Sequence, residues 1–98
     1  MPKPIPYKFD EAQEYHIKAF IFSTFDARLL LALKNQQFAS QGVQEKRRRA
    51  RIWLEHYAKI ALKLYAPHSP FERSYPAILK LFFEHSRYYK DFKYEEPK

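Results

Sequence analysis

The sequence predicts an all-α fold, a small helical bundle of two long antiparallel helices and a shorter third helix that is preceded by a helical turn. Three observations support this fold class. The 98 residues include one glycine, whereas the tight turns of a small all-β domain need several. Residues 7–66 contain no proline. The same stretch is rich in Ala, Leu, Lys, Arg, Gln and Glu, which favour helix.

The length of 98 residues predicts one helical domain over residues 1–98, with irregular termini at 1–9 and 93–98. No charge-free run approaches the roughly 20 residues that span a bilayer. The start of the chain lacks the apolar segment of a secretory leader. We therefore expect a soluble, cytoplasmic protein that has no membrane partner.

The first helix is predicted to begin at Asp10 and to run to about Gln37. Asp10 and Gln13 have the spacing of a capping box, in which each side chain bonds the other residue's backbone amide. The middle of this helix is apolar nearly all round, which predicts a central helix that self-associates or docks into a larger assembly. Its large apolar residues are Phe20, Ile21, Phe22, Phe25, Leu29, Leu30, Leu31 and Leu33.

The second helix is predicted to follow a break at residues 38–42 and to run to about Tyr65. Ser40 is the predicted N-cap, and Gly42 relaxes the turn before the helix. The sequence is amphipathic, with an apolar face and a basic face. The apolar face carries Ala50, Trp53, Leu54, Tyr57, Ile60, Ala61 and Leu64, and the other face carries Arg48, Arg51, Glu55, Lys59 and Lys63.

The third helix is predicted over Tyr75–Phe92, after a short helical turn near residues 70–74. Ser69, Pro70 and Glu72 together form a helix-start signature. A second start signature, ending at Pro76, follows only a few residues later. These two signals predict two separate helical segments.

Several classes of site are excluded by composition. The single glycine excludes a glycine-rich phosphate loop. The absence of cysteine excludes disulfides, thiolate zinc sites, iron–sulfur clusters and cysteine nucleophiles. No two of the four histidines have the i, i+4 spacing of a helical metal site. We therefore expect neither a metal nor a cofactor.

Positive charge is concentrated at the start of the second helix. Of the net charge of +7, residues 42–66 contribute +5, since they hold seven basic and two acidic residues. Arginine presents a planar fork that matches phosphate and carboxylate groups. The concentration predicts a surface for nucleic acid or for an acidic protein. The predicted binding residues are Lys46, Arg47, Arg48, Arg49, Arg51, Lys59 and Lys63.

Aromatic residues make up 18% of the chain, a surplus that suits base stacking beside basic side chains. Trp53 and Tyr57 lie on the apolar face and are expected in the core. Tyr88, Tyr89 and Tyr94 are the predicted stacking residues. The leading interpretation is a non-catalytic accessory subunit that binds nucleic acid, with RNA preferred over DNA.

Two alternatives stay open. The first is an adaptor or inhibitor that docks its arginine cluster on an acidic protein surface. The second rests on Arg51 and His56, whose spacing resembles that of HEPN ribonucleases; the resemblance implies that both residues act on an RNA phosphate at a dimer interface. It covers those two residues only, and Ile52 replaces the polar residue that often follows the arginine. Five residues along a regular helix also separate two side chains by about 140°.

Overall fold

Helices account for most of residues 7–92, the range that this computed structural model describes, and no strand occurs within it. The all-α prediction is therefore confirmed. None of the helices in this range is both long and apolar enough to cross a membrane. The helices are α1 (Glu11–Phe20), α2 (Asp26–Lys34), α3 (Gln36–Ala39), α4 (Val43–Tyr65), α5 (Phe71–His85) and α6 (Tyr89–Phe92).

The first predicted helix begins as expected but ends three residues early. Asp10 Oδ1 accepts a hydrogen bond from the Gln13 amide at 2.7 Å, and Gln13 Oε1 accepts one from the Asp10 amide at 3.1 Å. A π-helical turn, Ile21–Phe25, joins α1 to α2. The helix ends at Lys34 because Asn35 has extended backbone geometry (φ −80°, ψ 118°), and its side chain then caps α3 by accepting from the Phe38 amide.

The second predicted helix, α4, ends at Tyr65 as expected but has a different N-cap. Gly42 occupies the cap position, with no side-chain hydrogen bond. Ser40 instead donates its hydroxyl hydrogen to the carbonyl oxygen of Gln37 at 2.9 Å, at the end of α3. The prediction that Ser40 caps α4 is therefore wrong, because this hydroxyl is used by the preceding short helix.

The third predicted helix is corrected at both ends. α5 is continuous from Phe71 to His85, with Pro76 inside it, so the turn at 70–74 is not a separate segment. Pro76 lies near the helix start, where its missing amide removes one hydrogen bond. α5 stops at His85 because Ser86 is extended. The Ser86 Oγ accepts from the Tyr89 amide at 3.2 Å, which starts the separate helix α6.

Aromatic pairs show that the first helical segment and α4 run antiparallel. His16 stacks on Tyr65 with ring centroids 5.6 Å apart, while Phe38, at the other end, lies 5.5 Å from Trp53. α5 completes the core, where the ring centroids of Phe82 and Phe25 are 5.1 Å apart. The largest fully buried side chains are Ile17, Ile21, Phe25, Leu29, Leu54, Ile78 and Phe82.

Candidate nucleic-acid interface

Four basic residues and one glutamate follow a row at four-residue intervals along α4, and the row turns by about 40° with each step. They are Arg47, Arg51, Glu55, Lys59 and Lys63. Side chains four apart on a helix are neighbours, so these five form a continuous line. From Arg47 to Lys63 the line is about 24 Å long at 1.5 Å per residue. We call the four basic members the basic stripe; Glu55 interrupts it.

The first half of the basic stripe lines a groove between α4 and the α5–α6 end of the bundle. Its volume is about 570 Å³, and we call it the arginine groove. Arg47 and Arg51 lie on the α4 side, while Phe83 and Tyr89 lie on the other. A groove of this size is within the range of small-molecule sites. It therefore brings three arginines, Arg47, Arg48 and Arg51, and aromatic rings to one surface.

Tyr89 is buried at the base of the arginine groove, and this corrects its predicted role. Its ring lies 6.0 Å from Phe25 and 5.0 Å from Phe83. Burial raises the pKa of its hydroxyl above the ordinary value, although nearby Arg51 acts in the opposite direction. Only 6% of Tyr89 is exposed, so its ring is not available for stacking on a base.

Tyr88, the second predicted stacking residue, does not line this groove. Tyr88 is half-buried and lines a different, smaller groove, where the Arg87 guanidinium lies 5.0 Å above the ring of Phe22. Tyr94 falls outside residues 7–92, so its predicted stacking role stays a prediction.

Three of the predicted arginines form ion pairs within α4. Glu45 Oε1 lies 2.6 Å from Arg48 Nη2 and 3.2 Å from Arg49 Nε. Glu55 Oε1 lies 3.2 Å from Arg51 Nε. The arginine side chains are between 49% and 60% exposed, so these pairs lie at the surface and contribute little to stability. Arg48, Arg49 and Arg51 are therefore exposed at the surface, whereas Arg47 is half-buried.

The ion pairs also shift the protonation equilibria of their members. Hydrogen bonds from Arg48, and then from Arg49, lower the pKa of Glu45 below its ordinary value. The hydrogen bond to Glu55 raises the pKa of Arg51. Within residues 7–92, neither Lys46 nor Arg47 has a carboxylate within ion-pair distance. Lys46 and Arg47 lie at the end of α4 where the cluster begins.

Arg49 lies apart from the basic stripe, on another side of α4. It lines a groove of about 430 Å³ together with Arg28 and Trp53. The Arg28 guanidinium lies 4.8 Å above the Trp53 ring, which also contacts Phe38 and Phe92. The expectation that Trp53 belongs to the core is met in part, because it is half-buried. The sequence cluster therefore divides between two surfaces.

The second half of the basic stripe lines a groove at the opposite end of α4 and α5. This groove has a volume of about 290 Å³, with Lys59 and Lys63 on one side and Phe71 on the other. Lys59 Nζ lies 5.9 Å above the ring of Tyr75, which stacks on Phe71 at a centroid distance of 4.9 Å. We call it the lysine groove. Both halves of the basic stripe therefore face α5.

Sequence reasoning missed the aromatic residues that α5 places opposite the basic stripe. Phe71, Tyr75 and Phe83 are separated by multiples of four residues, so they follow a row that turns by about 40° with each four-residue step. That spacing was a usable signal, but the assumed break before Tyr75 separated Phe71 from the other two. We call these three residues the aromatic edge.

The structure does not bring Arg51 and His56 together. Arg51 lines the arginine groove and pairs with Glu55, whereas the exposed His56 does not line that groove, and its ring contacts Tyr57 at 5.4 Å. Within the described part of the chain, no cluster of three or more His, Asp or Glu could hold a metal ion. Comparison with family models, curated proteins and solved structures found no match.

Proposed function

We propose that this protein is a non-catalytic accessory subunit that binds nucleic acid through the basic side of α4, with RNA as the preferred ligand. The observation that carries the proposal is the arginine groove. Arg47 and Arg51 lie one helical turn apart and line the same concave surface as Phe83. Guanidinium groups beside an aromatic ring can bind both parts of a nucleotide: the guanidinium groups bind the phosphate and the ring stacks on the base.

The charges around the groove favour a phosphate ligand. Arg47 has no carboxylate within ion-pair distance in residues 7–92, while Arg51 pairs with the partly exposed Glu55 and interacts with the Tyr89 hydroxyl. Glu45 also lines the groove, but it is paired with Arg48. A phosphate oxygen can replace Glu55 as the acceptor, because surface ion pairs of this kind are weak. Guanidinium–phosphate hydrogen bonds are charge-assisted on both sides and are correspondingly strong.

The preference for RNA rests on the aromatic edge. Sequence-specific RNA recognition usually targets single-stranded loops and ends, whose unstacked bases can stack on protein rings. Rings beside a basic surface are of little use to a protein that contacts only the backbone of a DNA duplex. The exposed rings of Phe71 and Phe83 therefore support RNA over duplex DNA.

Fluorescence anisotropy with a labelled RNA oligonucleotide tests the proposal. If each residue of the basic stripe contacts one phosphate, affinity should fall about fiftyfold between 50 mM and 200 mM salt. Arg47→Gln and Arg51→Gln should each weaken binding and reduce the salt slope by about 0.7. Lys18→Gln is the matched control, because Lys18 also forms an i, i+4 ion pair, with Glu14, but lies on α1, outside the basic stripe.

The same assay separates nucleic acid from an acidic protein surface. Wild-type protein that fails to bind RNA and DNA at the lower salt concentration would refute the proposal. Displacement of bound RNA by polyglutamate as readily as by unlabelled RNA would support the acidic partner instead. Equal loss of affinity in Lys18→Gln and Arg47→Gln would show attraction by net charge rather than a defined interface.

A further inference from the structure

We infer that the ligand is a single strand that lies along the seam between α4 and α5, with its phosphates on the basic stripe and its bases on Phe71 and Phe83. This inference rests on the proposed function and specifies the kind of nucleic acid. The supporting feature is the alignment of the basic stripe on α4 with the aromatic edge on α5.

The two grooves lie at the two ends of one seam. The arginine groove joins Arg47 and Arg51 to Phe83, and the lysine groove joins Lys59 and Lys63 to Phe71. Between them, Lys59 lies over the ring of Tyr75. The basic stripe is about 24 Å long and the aromatic edge about 18 Å, since Phe71 and Phe83 are twelve residues apart. The seam can therefore contact several consecutive nucleotides.

The two outer rings are both exposed and held in place. Phe71 is 53% exposed, and its ring lies nearly parallel to that of Tyr75, at 19°. Phe83 is 38% exposed and meets the Tyr89 ring edge-on at 82°. A large exposed aromatic side chain is costly to leave in water, and a fixed orientation lowers the entropy lost on stacking. Both features suit rings that receive a base.

A duplex cannot use this surface in the same way. In a double helix the base faces are stacked on one another, so only phosphates and groove edges are accessible to side chains. The basic stripe alone would bind a duplex backbone, but the aromatic edge would contribute nothing. Preference for single strands over duplexes is therefore the measurable consequence of the alignment.

The test compares a single-stranded RNA oligonucleotide with a duplex of the same length. Phe71→Leu and Phe83→Leu keep apolar bulk and helix propensity but remove the flat ring. Each should weaken single-strand binding by between about fivefold and about a hundredfold, while duplex binding stays unchanged. Phe22→Leu is the matched control, since Phe22 is 41% exposed and lies at a different surface, beneath Arg87. Circular dichroism melting confirms that each variant is folded.

Failure of this inference is distinguishable from failure of the proposed function. The wild-type protein could bind single strand and duplex equally, with both leucine variants binding like Phe22→Leu. That result would show that bases do not stack in the seam, and the proposal that the basic stripe binds phosphate would be unaffected. If the wild-type protein binds neither nucleic acid, both proposals are lost. Selective loss of single-strand binding in Phe71→Leu and Phe83→Leu supports the seam.

Discussion

The hydroxyl of Ser86 donates a hydrogen bond to Asp26 Oδ1 at 2.5 Å, across 60 residues of sequence. The other oxygen of the same carboxylate accepts from the Arg87 amide at 3.0 Å. Asp26 is only 3% exposed, so these hydrogen bonds, rather than water, satisfy its carboxyl oxygens. The pair ties the start of α2 to the loop that turns from α5 into α6, which carries Tyr89 to the base of the arginine groove.

Asp26→Asn should lower the free energy of unfolding by about 1 to 3 kcal/mol, because both carboxyl oxygens accept hydrogen bonds and the amide has only one acceptor oxygen. Urea unfolding followed by circular dichroism measures the change. Asp91→Asn is the control, since Asp91 is exposed on α6. A double-mutant cycle with Ser86→Ala should give a coupling energy clearly different from zero; strict additivity of the two substitutions would show that the observed contact does not stabilise the fold.

Glu55→Gln should increase affinity for single-stranded RNA by about two- to fivefold. The substitution removes the one carboxylate that interrupts the basic stripe and frees Arg51 from its ion pair. Anisotropy titration at low salt measures the gain. Glu14→Gln, which breaks the corresponding pair with Lys18 on α1, should leave affinity nearly unchanged. An equal gain in both variants would mean that net charge, and not the seam, controls binding.

Tyr89→Phe should reduce the loss of stability at alkaline pH. Burial raises the pKa of Tyr89 above its ordinary value of 10.0, so folding favours the neutral hydroxyl. This contribution to stability is complete below pH 10 and is lost as the pH rises through the higher folded-state pKa. The midpoint of urea unfolding is measured below pH 10 and again above the folded-state pKa of Tyr89. The difference between these two midpoints should be smaller for Tyr89→Phe than for the wild-type protein. Tyr15→Phe, at an exposed position, should behave like the wild type.

Local signals in the sequence were enough to predict the helical architecture. The capping box of Asp10 and Gln13 is made entirely by residues three apart, and the structure contains both of its hydrogen bonds. The end of α4 at Tyr65 was equally predictable, because Pro67 follows closely and cannot continue a helix. The concentration of arginines at the start of α4 was likewise visible in the sequence alone.

The ends of the other helices depended on contacts that sequence reasoning did not anticipate. Asn35 and Ser86 leave helical geometry where their side chains hydrogen-bond other groups, and the main partner of Ser86 is Asp26, on another helix. The continuity of α5 through Pro76 also required tertiary packing, because a buried apolar face compensates for one missing backbone hydrogen bond. Asn35 is a favoured N-cap residue and so carried a local signal, but local propensity contains no information about the Ser86–Asp26 hydrogen bond or the packing of α5.

The sequence by itself determined a helical bundle with an arginine-rich helix and a surplus of aromatic residues. Only the tertiary structure decided how these groups are shared among surfaces: Arg47 and Arg51 face Phe83, Arg49 lies beside Trp53, and Tyr89 is buried. The physical reason is that helical periodicity assigns each residue a direction on its own helix. Which neighbour lies in that direction is set by packing between helices that are distant in the chain.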